Sequence, residues 1–289
     1  MGRDLGEGSS RWQTASAALG FDLRRLCLEG PEAELTLTAN TQPAILAASI
    51  VALDALRGEG ITYDLVAGHS LGEYSALVAA GALDFADAVR TVRARGQFMQ
   101  EAVPPGEGAM AAILGLDRNQ VIEACQKAQD VGVVQVANLN APGQTVIAGA
   151  RPAVQRAAEV AKTMGARRIL PLPVSAPFHS LLMAPAAARL EPVLRGLPIR
   201  DLCVPLVTNV DADLLTEETK VVDALVRQVT APVRWEEVVV RLVKEGAEIF
   251  IEVGPGTVLS GLIRRIVPTV RTLNVADRAS LDVTLKGLS

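Results

Sequence analysis

The pentapeptide Gly68-His69-Ser70-Leu71-Gly72 constrains this chain more than any other stretch because of what flanks it. Residues 63–67 (Tyr-Asp-Leu-Val-Ala) read as a short buried strand, and residues 71–80 read as a helix stopped by Gly81. A G-x-S-x-G set between strand and helix holds its serine on a sharp turn with Oγ exposed, its glycines giving the backbone room. The N–H of Leu71 then lies at a helix N-terminus, where it can stabilise an oxyanion. The same five residues also suit a glycine-rich turn whose serine merely caps a helix. The rest of the chain bears on that choice.

Helical patterns alternate with short β-branched runs, the pattern of an α/β protein with a mainly parallel sheet. Residues 42–57 read as a helix closed by Gly58, and residues 84–102 as another with Asp84 as its N-cap. Val103-Pro104-Pro105-Gly106 then breaks the chain and the rhythm changes. A strand at 109–114, a helix at 117–129, strands at 133–136 and 144–148 around a turn-rich 138–143, a helix at 152–164 and a strand at 166–172 follow. That order, βαββαβ, is the ferredoxin-like unit. The expected organisation is a larger α/β core built from residues 1–105 and 174–289, with residues 106–173 inserted as a small subdomain. After Pro173 the α/β rhythm resumes with a helix at 181–194, a strand at 204–209, and helices at 220–229 and 234–244. A strand at 248–253 then leaves through Gly254-Pro255-Gly256 into a helix at 257–266, which by itself is a tight turn into a helix N-terminus.

Composition narrows the function classes. Of 289 residues, 49% are hydrophobic and only 3% aromatic, so the core is aliphatic. A net charge of −4 without runs of like charge argues against a nucleic-acid partner. Charge-free stretches such as 43–53 are too short to span a bilayer. The start of the chain, with Arg3, Asp4 and Glu7, has no apolar segment of the kind a secretory signal needs. Cys27, Cys125 and Cys203 fit neither a disulfide framework nor a zinc site and read as reduced core residues. The expectation is a cytoplasmic monomer with no metal or cofactor.

The chain has two histidines. His69 adjoins Ser70 on the elbow, so its side chain points away from the serine and suits packing or support of the site. His179, in the loop Val174-Ser175-Ala176-Pro177-Phe178-His179-Ser180, is then the histidine left to take a proton from an activated Ser70. Its alternative role is that of a helix-capping or core residue. Arg95 falls on the apolar stripe of its helix, three residues after Val92 and four before Met99. An inward guanidinium must be paired, and its fork suits a carboxylate. That carboxylate is either an internal Asp or Glu or belongs to a ligand. Gly96 beside it allows close backbone approach.

Taken together, these residues resemble the malonyl-CoA:acyl carrier protein transacylase family, which also supplies acyltransferase domains of fatty-acid and polyketide synthases. The matching pieces are Thr41-Gln42-Pro43-Ala44, Gly68-His69-Ser70-Leu71-Gly72-Glu73-Tyr74, Arg95-Gly96-Gln97-Phe98-Met99-Gln100, Asn140-Ala141-Pro142-Gly143-Gln144, Pro173-Val174-Ser175-Ala176-Pro177-Phe178-His179 and Glu252-Val253-Gly254-Pro255-Gly256. They run in family order from about residue 13 to 275. The resemblance implies an α/β-hydrolase-like parallel-sheet core with an inserted ferredoxin-like βαββαβ subdomain. It implies Ser70 as the acyl-accepting nucleophile, His179 as its base, Leu71 N–H in the oxyanion hole, and Arg95 on the free carboxylate of malonyl. It further implies that His179 is oriented by a main-chain carbonyl, which maps to Gln228, by pattern a plain helix-end residue. The implied partners are malonyl-CoA and acyl carrier protein. A serine hydrolase or thioesterase using the same elbow, and an inactive binding module, are the rival classes. The absence of another histidine near the C-terminus and the inward Arg95 argue against an ordinary esterase.

One departure stands out. The family's chain begins with a strand ending in a Gly-Gln-Gly-Ser-Gln loop that supplies a second oxyanion donor, and Met1-Gly2-Arg3-Asp4-Leu5 matches the part just after it. The resemblance therefore implies either a true start upstream of Met1 or a shortened chain, and a chain as given that is less stable and less active than one with that strand and loop.

Overall fold

The computed structural model describes residues 5, 9–174 and 176–288. The readings that rest on residues 1–4, 6–8 and Ser175 lie outside them. The chain opens with helices α1 (Ser10–Leu19), α2 (Leu23–Glu29), α3 (Glu32–Leu35) and the long α4 (Thr38–Gly58). The elbow leads into α5 (Gly72–Ala79), then α6 (Phe85–Glu101). Asp84 caps α6 as its sequence suggests, accepting from the N–H groups of Ala86 at 2.8 Å and Asp87 at 3.3 Å. Helix α4 begins four residues before the expected start and contains Pro43. By length and composition alone this 21-residue helix is long and apolar enough to cross a membrane, and most of its apolar window is buried inside the protein. Ala44, Leu46, Ala47 and Ile50 lie in the main core with Val89 and Val92 of α6.

The inserted unit is β1 (Gly108–Leu114), α7 (Arg118–Gln126), β2 (Val134–Ala141), β3 (Gln144–Ala150), α8 (Arg151–Thr163) and β4 (Arg168–Pro171). Its antiparallel sheet has the order β2-β3-β1-β4. Alternation along β1 sends Ala111 and Ile113 into a cluster with Val121 and Val154 of the two helices. Met110 and Ala112 face the other way and pack with Phe178 of the His179 loop. The stretch expected to be turn-rich is mostly strand. Residues 138–141 continue β2, and the turn is confined to Pro142 and Gly143, the latter with φ 66°. Asn138 forms a parallel bridge with Val233, stitching the insert to the core.

The core resumes with α9 (Ala184–Arg195), β5 (Leu206–Val207), β6 (Leu214–Leu215), α10 (Glu218–Thr230), α11 (Trp235–Lys244), β7 (Ile249–Val253), α12 (Val258–Ile266), β8 (Arg271–Val275) and α13 (Arg278–Leu288). The result is an α/β-hydrolase-like fold with a ferredoxin-like insertion. The segment before the elbow corrects its expectation as a buried strand: it is partly buried and pairs through a single parallel bridge, Val66 to Leu206. Among the described residues, β7 pairs with β8 alone, and Ile249 is 44% exposed. Of the cysteines, Cys125 is buried and Cys27 partly so, whereas Cys203 is exposed rather than in the core.

Gly96 serves the packing of α6 on α4. A Cβ there would lie 2.6 Å from Thr38 O and 2.7 Å from Ala39 Cα. Gly96→Ala should therefore destabilise the protein by about 1–3 kcal/mol through forced separation of the two helices. Thermal and urea unfolding check this, and a melting point equal to that of the parent contradicts it.

Candidate active site

Ser70 sits at φ 51°, a left-handed conformation unfavourable for a residue with a Cβ. Asn209, buried at the end of the segment that follows β5, holds it there. Its Oδ1 accepts from Ser70 N–H at 2.7 Å and its Nδ2 donates to Gly68 O at 2.7 Å. Gly68 is required by crowding, since a Cβ would lie 2.0 Å from Gly72 C and O. Gly72 is not: a Cβ there meets nothing within 4 Å, so only the first glycine of the elbow gives the backbone necessary room. Leu71 is the N-cap residue of α5, and its N–H makes no hydrogen bond among the described residues.

His179, only 3% exposed, places Nε2 at 2.7 Å from Ser70 Oγ. Its Nδ1 lies 2.8 Å from the backbone oxygen of Gln228 in α10. A carbonyl can only accept, so Nδ1 carries the hydrogen and Nε2 presents a lone pair to the serine hydroxyl. Burial, aided by the nearby Arg95 charge, lowers the His179 pKa to about 3 and keeps the ring neutral. The residue is itself left-handed, at φ 58°. Gln135 of β2 pins its loop, donating to His179 O at 3.3 Å and Thr230 O at 3.1 Å and accepting from Leu181 N–H at 3.1 Å.

Arg95 is the largest fully buried side chain in the vicinity, at 2% exposure. Nη1 donates to Gln42 Oε1 at 2.7 Å, and Nη2 to Ser70 Oγ at 3.1 Å and to Gln228 Oε1 at 3.0 Å. Its guanidinium carbon lies 5.5 Å from the centre of the Tyr74 ring. None of its hydrogen-bond partners is a carboxylate; the nearby acid, Glu73, is reached through Gln228, whose Nε2 donates to Glu73 Oε2 at 2.7 Å. Of the two partners the sequence left open, an internal acid in direct contact is not found among the described residues. Arg95 Nε is buried with no acceptor.

The structure thus brings Ser70, Leu71, Arg95, His179 and Gln228 to one place. His69 points elsewhere, its Nε2 2.9 Å from Asn140 Oδ1 and its ring tilted on Trp235 with centroids 5.6 Å apart. Asn209, Glu73, Gln42 and Gln135 complete the arrangement, and none was singled out from the sequence for a role. Gln42 and Glu73 stood within quoted motifs, which was a usable signal. Asn209 and Gln135 stood within plain strand patterns, which gave none.

The geometry can be set beside known proteins. The family model described as an acyl transferase domain matches residues 11–282. The malonyl CoA-acyl carrier protein transacylase of Bacillus subtilis (strain 168) is 49% identical over 293 residues, covering 100% of this chain and 92% of that protein. The transacylase of the same name from Escherichia coli (strain K12) is 49% identical, covering 94% of this chain and 88% of its own length. Among solved structures, the acyl carrier protein S-malonyltransferase of Vibrio cholerae is similar with a TM-score of 0.93 at 47% identity, over 95% of this chain and 90% of that one. A malonyl-transacylase solved in complex with its type II PKS acyl-carrier protein is similar with a TM-score of 0.96 at 45% identity, over 98% of this chain and 94% of that one.

Burial lowers the pKa of His69 as well as that of His179. In the folded protein His179 stays neutral far below, and His69 below, the pH of about 6.5 at which an unfolded histidine protonates. The His179 imidazole should not titrate between pH 5 and 8 when followed by its ring proton resonances, and His69 should titrate below the free-imidazole value. Their contribution to stability is full above pH 6.5 and declines as the pH falls below it. A midpoint near 6.5 for His179 contradicts the buried, neutral arrangement.

Proposed function

The chain belongs to the malonyl-CoA:acyl carrier protein transacylase family, and from that membership we propose that it moves malonyl from coenzyme A to the phosphopantetheine thiol of acyl carrier protein through a malonyl-serine ester. The observation that carries the reading is Arg95: a buried guanidinium whose partners are neutral oxygens, 3.1 Å from Ser70 Oγ. In malonyl a single methylene separates the thioester carbonyl from the free carboxylate. A carboxylate receptor this close to the nucleophile suits that short spacing. A simple hydrolase has no use for such a charge.

The steps follow from the geometry. Ser70 Oγ attacks the thioester carbon while His179 Nε2 takes the hydroxyl proton. The Gln228 carbonyl steadies the Nδ1–H of the imidazolium that forms, and Leu71 N–H donates to the tetrahedral oxyanion. Collapse expels the coenzyme A sulfur, which receives the proton from His179. The carrier thiol then gives its proton to Nε2 and attacks the malonyl-serine ester, and the same steps run in reverse to free Ser70. Arg95 holds the carboxylate throughout. No metal or cofactor enters the sequence of steps. The reading takes the enzyme to work as a cytoplasmic monomer in fatty-acid or polyketide assembly.

Brief exposure to malonyl-CoA should leave a malonyl adduct on the peptide containing Ser70, read by mass spectrometry, and Ser70→Ala should abolish it. An adduct on Cys27, Cys125 or Cys203 that survives Ser70→Ala overturns the mechanism. His179→Ala should slow acylation by about 10²–10⁴-fold without unfolding the protein.

Arg95→Ala should lower malonyl transfer by about 10- to 150-fold, the equivalent of about 1.5–3 kcal/mol, while acetyl transfer holds or rises. Equal loss with both substrates, together with a much lower melting temperature, makes Arg95 a purely structural residue.

A further inference from the structure

Glu73 follows the nucleophile by three residues and is 1% exposed, yet the transfer steps use none of its atoms. Its Oε2 accepts from Gln228 Nε2 at 2.7 Å and from Asn209 N–H at 3.1 Å. Both donors belong to residues that hold the site. Asn209 secures the elbow, and Gln228 offers its backbone oxygen to His179. The Gln228 amide has one orientation that suits its surroundings. Nε2 serves Glu73 and also Ser70 O at 3.0 Å, leaving Oε1 for Arg95. Reversed, the amide would set its oxygen against two acceptors and its NH₂ against a guanidinium. The carboxylate of Glu73 therefore fixes the orientation in which Arg95 finds an acceptor.

The charges around Glu73 point further. Facing it are Arg95 from α6 and the Tyr74 hydroxyl, whose pKa burial pushes up to about 12. Asp211, beyond Asn209, is engaged by Arg227 of α10 at 2.8 Å. Arg95 is the cation of this group that no carboxylate contacts directly. Building on the malonyl-transfer reading, we propose that Glu73 is a positioning residue that serves as the resident counter-charge of Arg95, and that the substrate carboxylate takes over this role. Malonyl binding is then coupled to uptake of one proton by Glu73.

The balance is simple. Arg95, Glu73 and a bound malonyl carboxylate would leave one anion uncompensated in a water-poor site, and a second carboxylate raises the proton affinity of the first. The proton comes from hydronium or buffer acid, and the O–H bond forms on Glu73; no other bond changes. With that proton on Oε1, Oε2 remains a carbonyl acceptor, and the hydrogen bonds from Gln228 and Asn209 persist. The empty protein is already poised for this, because burial pushes Glu73 up to about 7 against the opposing pull of its hydrogen bonds and Arg95. As the pH falls below about 7 Glu73 becomes increasingly neutral and the carboxylate binds with progressively less proton uptake. Above it, each pH unit weakens malonyl binding by up to about tenfold until the higher pKa of the occupied site is reached.

The test is the ratio of kcat/KM for malonyl-CoA to that for acetyl-CoA between pH 6 and 9, measured on the full chain. Titrations of coenzyme A, carrier thiol and His179 in the free enzyme are common to both substrates and cancel. The parent ratio should fall from about pH 7 upward, and E73Q, which mimics the neutral acid, should give a flat ratio. A merely structural Glu73 would change rates or stability but not this profile. An active parent with a flat ratio overturns the proposal whether or not E73Q folds. So does an E73Q enzyme that keeps the parent's slope. A parent that transfers malonyl at no pH overturns the proposed function itself, and this inference with it.

Discussion

Burying a guanidinium without a contacting carboxylate is costly, and at Arg95 the cost is offset by neutral acceptors drawn from different elements: Gln42 from α4, Gln228 from α10 and the Ser70 hydroxyl. Two of the residues that supply them are themselves held by a further partner. Gln228 is turned by Glu73, and Ser70 is secured by Asn209. The charge thus ties α4, α10 and the elbow together through hydrogen bonds to one guanidinium.

Both members of the Ser70–His179 couple occupy left-handed backbone conformations, and neither is a glycine. Such strain persists only where the surroundings over-determine it. At Ser70 the determinants are the Asn209 side chain and the missing side chain of Gly68. At His179 they come from the inserted unit, through Gln135 and the apolar face of its sheet that packs with Phe178. The insert therefore helps to build the site, since one of its strands fixes the loop that carries His179. The bridge of Asn138 to Val233 and the bond from Asn140 to His69 extend the same contact along β2.

Some of this was legible in the residues. The G-x-S-x-G turn, the scarcity of histidine and the placement of Arg95 on an apolar helix stripe named three of the central side chains. Asp84 as an N-cap and the βαββαβ order were equally readable, because capping and hydrophobic period are local properties. The errors were also local in origin. Asn138-Leu139-Asn140 has turn-forming composition, yet it continues β2 because pairing with β3 and Val233 outweighs propensity. Residues 63–67 have strand composition but meet a partner at Val66 alone.

The amino-acid sequence by itself determined the elbow, the inward charge and the identity of the two histidines, since each follows from residue type and spacing along one element. Only the tertiary structure decided that Gln228 turns its side-chain oxygen to Arg95, that Arg95 has no acid in contact among the described residues, and that Asn209 and Gln135 hold the couple in place. These are contacts between residues 44 to 139 positions apart, and no periodicity records them. They exist because burial makes an unpartnered polar group costly, and the folded chain alone settles which partner is within reach.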